Sequence, residues 1–94
     1  MTHEEVLSRS RALWNRKELD LRSFEVIAQI LDRGEVRDWR ALFALAAGDA
    51  ALRELIHEVV RKVALPFPFF WLAALASLGE KVDYEMPLPQ PIEI

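Results

Sequence analysis

No cysteine occurs among the 94 residues. Disulfide scaffolds, thiolate zinc sites and cysteine nucleophiles are therefore excluded. Glycine is scarce, and Gly34, Gly48 and Gly79 stand alone, so no glycine-rich loop exists to cradle a phosphate. Histidine is limited to His3 and His57. The longest uncharged run, 63–79, carries two prolines near its start and is too short to span a bilayer. The opening "MTHEEVLSRSR" has acids in place of an apolar leader core, so no signal peptide is expected. A cytoplasmic protein without a membrane role is the expectation.

What is present is apolar content, 52% of the chain against 29% charged, which marks a globular sequence rather than a disordered one. At this length only one core can be built. Such a share of apolar side chains in so small a domain points to an interface with a protein partner or a second copy. Net charge is −3, which argues against nucleic-acid binding by the chain alone. The charge is uneven, however. Arg9, Arg11, Arg16, Lys17 and Arg22 face only Glu18 and Asp20 in that stretch, a local excess of three positive charges and a possible basic surface.

Helical periodicity runs through most of the chain. Thr2 with Glu5 is a capping-box pattern that opens a first helix expected to reach Leu13 or Trp14. A second helix is predicted over about 22–33, with Phe24, Ile27, Ile30 and Leu31 on one stripe and Gly34 as a left-handed stop. A third, about 36–47, should bury Val36, Trp39, Leu42, Phe43 and Ala46. Asp49 can cap a fourth, about 50–64, whose Leu52, Leu55, Ile56, Val59, Val60 and Val63 fill one face. Pro68 suits the first helical position of a fifth helix, "FFWLAALASL". That helix is apolar all round and is expected to be central. Its Phe69, Phe70 and Trp71 lie about 100° apart, too widely spread for flanking helices to cover all three.

The predicted fold is all-α: a compact bundle of about five short helices over residues 1–79, followed by an extended, acidic, proline-rich tail over 80–94. In that tail Pro87, Pro89 and Pro91 alternate with apolar neighbours. A strand so built loses donors along one edge only, and could add to a sheet from the other. As polyproline II, the tail would instead align Leu88, Pro91 and Ile94 on one face.

The chemical constellations are weak. "HEVVR" at His57 has Arg61 where a zinc helix needs its second histidine, and a cation there repels metal. Glu54 and His57 have the E-x-x-H spacing of di-iron bundles, but no second pair exists and both fall on a polar face. No hydroxyl residue has a sequence-supported histidine and acid beside it. No catalytic residue, metal or cofactor is expected.

"LW" at Leu13–Trp14 followed by "ILDRGEVRDWRALFAL" from Ile30 resembles small bacterial proteins of unknown function encoded beside nucleotidyltransferase-type toxins. Leu31, Gly34, Glu35, Asp38, Trp39 and Arg40 carry the pattern, which covers roughly residues 13–70. "PFPFFW", at the end of that span, and the tail are not part of the pattern. The resemblance implies an antitoxin-like or accessory partner without catalytic residues. The expected function is therefore a non-enzymatic protein–protein interaction module, oligomeric or bound to a partner. Its expected contacts are Phe69, Phe70, Trp71, Tyr84, Leu88, Ile92 and Ile94. The alternatives are a DNA-binding transcriptional regulator reading through the basic segment, or a structural subunit.

Overall fold

A computed structural model describes residues 1–15 and 18–90. Among them are five α-helices, one 3-10 turn and no strand. The helices are α1 (His3–Ser8), α2 (Phe24–Arg33), α3 (Val36–Ala47), α4 (Ala50–Lys62) and α5 (Pro68–Ser77). The Cα radius of gyration is 12.8 Å, close to the ~13 Å of a single compact domain of this size, so residues 80–90 cannot project far from the bundle.

Local chemistry explains most boundaries. Ser23 and Asp49 cap α2 and α4, accepting from the backbone N–H of Val26 and Leu52. Pro68 fills the first turn of α5, where its missing donor costs nothing. Gly79, at φ 93°, ends α5: its N–H donates to the Ala76 carbonyl and the Glu80 N–H to that of Leu75. That pair of bonds is a Schellman closure, and it turns the chain back over the bundle.

The first helix is shorter than its periodicity suggests. α1 stops at Ser8, and the chain re-enters a separate 3-10 turn at Arg11–Leu13. Ser10 causes the break. Its Oγ accepts the Ala12 N–H at 3.1 Å while its hydroxyl donates to Asp38 Oδ2 at 2.8 Å. A serine with two such bonds stabilises extended backbone over another helical turn.

Gly34 also departs from expectation. It is not left-handed but extended, at φ −67° and ψ 150°. Its role is close approach: an added Cβ would stand 2.4 Å from the Ile30 carbonyl oxygen and 2.8 Å from Trp39 Nε1. The bare Cα leaves room for the Trp39 indole to donate to that carbonyl at 2.7 Å.

The core runs through Leu7, Leu13, Ile27, Ile30, Leu31, Leu42, Leu52, Ile56, Val59, Val60, Trp71, Leu72 and Leu75. α1 lies on α3, α2 packs on α3 and α4, and α5 rests on α4. The fully apolar α5 is thus an edge helix, not a central one. It buries Trp71, Leu72 and Leu75 and leaves Phe69, Phe70 and Ala73 outside. Too few helices surround it to cover every side.

Beyond α5 the chain is irregular. The Asp83 side chain accepts the Glu85 N–H and its carbonyl the Met86 N–H, a turn that interrupts the expected extended run. Val82 and Leu88 rest on the core. Arg53 ties this segment down: it pairs with Glu80 at 2.8 Å and donates to the Ala46 and Ala47 carbonyls at the end of α3. No helix among the described residues is long and apolar enough to cross a membrane.

Candidate interaction site

The third helix carries two apolar stripes. Ala41, Leu42 and Ala46 point into the core, with Leu45 at its edge. Val36, Trp39 and Phe43 form the second stripe, with Arg40 among them, at spacings of i, i+3, i+4 and i+7. Val36 is 64% exposed and Phe43 is also exposed, against the expectation that both are core. Trp39 is half-buried. A single face of a 12-residue helix on a small bundle cannot absorb all these side chains.

Across from this stripe stands the outer face of α5. Phe70, Ala73 and Ala74 form the opposite wall of a groove of about 750 Å³. The two helices meet through rings rather than backbone. Trp39 stacks on Phe70 with centroids 5.3 Å apart, and meets Trp71 and Phe67 edge-on at 5.6 and 6.0 Å. Phe70 meets Trp71 at 5.4 Å and 87°. Edge-to-face and offset pairs add roughly 0.5–1.5 kcal/mol each beyond area burial, so the rings hold one another in place. Phe70 remains 53% exposed, and Phe67 and Phe69 are exposed beside it. Among the described residues, this aromatic ridge and its groove gather most of the exposed large apolar side chains.

The expected contact residues divide. Phe69 and Phe70 are exposed on this surface. Trp71, 1% exposed, belongs to the core and is corrected from partner contact to a support behind the groove. Its Nε1–H has no acceptor among the described residues. Tyr84 is exposed in the turn after α5. Leu88 lies partly buried against the domain itself, in a depression of about 490 Å³ shared with Leu65, Pro66, Pro68, Phe69 and Met86. Ile92 and Ile94 fall outside the described residues.

The basic segment is regrouped by the fold. Arg16 and Lys17 lie outside the described residues. Arg22 pairs with Asp49 at 3.3 Å and shares its depression with Glu4 and Glu5. Arg9 goes elsewhere. The packing of α1 on α3 sets it beside Arg37, Arg40 and His3 in a shallow depression of about 340 Å³ with no carboxylate in its lining. Arg37 pairs with Glu35 at 3.5 Å. Neither Arg9 nor Arg40 makes an ion pair among the described residues. Arg40 belongs to both depressions, so a cationic rim adjoins the apolar groove. Local composition did not reveal this cluster, because Arg9 and His3 are far in sequence from Arg37 and Arg40.

The acidic groups with displaced titration are structural. Asp49 is held below its ordinary value, first by the Leu52 N–H and then, against some desolvation, by Arg22. Glu58 is held low by its hydrogen bond and charge pairing with Lys62. Glu54 and His57 stay on the outer side of α4, and no group of three or more metal-ligating side chains stands together among the described residues. No family model, curated protein or solved structure matches the chain.

Proposed function

We propose that this chain is a non-enzymatic protein–protein interaction module, the antitoxin-like or accessory member of a pair. One observation carries the reading: Val36, Trp39, Phe43 and Phe70 line one open apolar groove, with Phe67 edge-on to Trp39 and Phe69 also exposed. Contiguous apolar surface on a small domain is costly in water, and aromatic residues with an arginine at the edge are the side chains that dominate interface energetics. The resemblance around Leu31–Arg40 supports the pairing with a toxin, since Trp39 and Arg40 of that pattern line the groove. The acidic end of the chain, from Glu80 onward, is a second contact region in this reading, with Tyr84 exposed for it.

Tagged chain recovered from native extract, followed by light scattering, tests the proposal. A stoichiometric partner or a defined oligomer is expected. A strict monomer that retains nothing contradicts it. Salt-sensitive retardation of DNA by the isolated chain would favour the regulator reading instead.

A further inference from the structure

We propose that the groove between α3 and α5 receives one amphipathic helix of a partner protein whose apolar stripe is flanked by carboxylates. This inference rests on the interaction-module reading and specifies its partner.

The shape argues for a helix. The α3 wall presents Val36, Trp39, Arg40 and Phe43, and the α5 wall presents Phe70, Ala73 and Ala74, both at helical spacing. From Val36 to Phe43 the wall is roughly 10 Å long, about two turns, matching an occupant's i, i+3, i+4, i+7 stripe. Ala73 and Ala74 keep the α5 wall low, so a third helix can approach both walls closely. Strand addition has no counterpart here, because the described residues contain no strand to offer an edge.

The charge argues for carboxylates. Arg40 stands on the groove's rim, Arg9 and Arg37 continue the cationic strip, and no carboxylate lines either depression. Arg9 and Arg40 have no ionic partner among the described residues, so an occupant's acids meet available guanidinium groups.

A second copy fits less well. Two-fold pairing through this face sets the same arginine rim against itself. The other helices of a second copy spend their apolar stripes in their own core.

The test is a displayed library of 16-residue helical peptides with fixed apolar positions at i, i+3, i+4 and i+7 and randomised flanks. It is selected on the full chain and counter-selected on Phe70→Asp, whose melting is checked to confirm folding. Recovered peptides should carry Asp or Glu at the flanks. They should lose on the order of tenfold in affinity against Arg40→Glu at low salt, and that difference should shrink as salt screens it. In spectra of labelled chain, their footprint should fall on 36–43 and 70–74. Basic or neutral flanks, equal binding to Phe70→Asp, or a footprint elsewhere would overturn the inference. A concentration-dependent dimer with the same footprint and no groove-binding peptide would also overturn it, while leaving the interaction-module reading standing. A monomer with neither, and with nothing retained from native extract, would remove both.

Discussion

Trp39 Nε1 donates a 2.7 Å hydrogen bond to the Ile30 carbonyl oxygen, directly over the bare Cα of Gly34. The bond fixes the end of α2 to the indole that stacks on Phe70. Groove and bundle are therefore coupled at one glycine.

Replacing Gly34 with Ala is expected to destabilise the protein by roughly 1–3 kcal/mol, as overpacking does. The backbone there suits any residue, so alanine would gain a little from unfolded-state entropy. The 2.4 Å approach to a backbone oxygen outweighs that gain. Denaturant melts measure the stability, and Trp fluorescence should report a displaced Trp39. A variant at least as stable as wild type would contradict the packing.

Ser10 and Asp38 form the second long-range tie. Asp38 is buried and also accepts the Glu35 N–H at 2.9 Å. Ser10→Ala and Asp38→Ala should each cost roughly 1–3 kcal/mol, with a coupling of 0.5 kcal/mol or more in a double-mutant cycle. Additive effects would mean that the two residues act separately.

Cutting the chain after Lys81, or replacing Arg53 with Met, should loosen the same region. Val82 and Leu88 leave the core in the first case, at a cost of roughly 1–3 kcal/mol. In the second, the α3 carbonyls and Glu80 lose their shared guanidinium. Tryptic cleavage at Lys81 should accelerate severalfold in Arg53→Met. An unchanged cleavage rate would show that Arg53 does not hold the segment.

Acid should erode stability through Asp49 and Glu58. Both carboxyls titrate lower in the folded state than in the unfolded chain. Their contribution is complete above the unfolded values and is lost as pH falls through the lower folded ones, below about pH 4. Asp49→Asn should flatten the acid limb of a stability–pH curve. Both groups are partly exposed, so added salt should shrink the part due to Arg22 and Lys62.

Sequence made α2 to α5 legible because their ends are set locally, by Ser23, Asp49, Pro68 and Gly79. What it hid depends on distant partners. The break at Ser10 requires Asp38, 28 residues away, and the role of Gly34 requires the indole of Trp39. The aromatic trio of α5 was legible as a set, but its outward members were not. Whether Phe70 or Trp71 turns inward depends on how α5 rotates on α4. The second stripe of α3 was not legible, because its periodicity placed Val36 and Phe43 in the core, and only the edge position of α5 decides that they face a groove. The Arg9–Arg37–Arg40 strip arises only when α1 lies on α3.

The most direct measurement compares Phe70→Asp with Trp14→Asp, an equally drastic change at a 78% exposed aromatic that does not line the groove. Trp14→Asp should melt within about 0.5 kcal/mol of wild type, whereas Phe70→Asp, which gives up its ring contacts with Trp39 and Trp71, should lose roughly 1–3 kcal/mol and still fold. Light scattering of each affinity-purified species should then show that Trp14→Asp keeps the wild-type partner or oligomer and that Phe70→Asp is a bare monomer. Retention of the partner by Phe70→Asp, or its loss from Trp14→Asp alone, would place the interaction surface elsewhere.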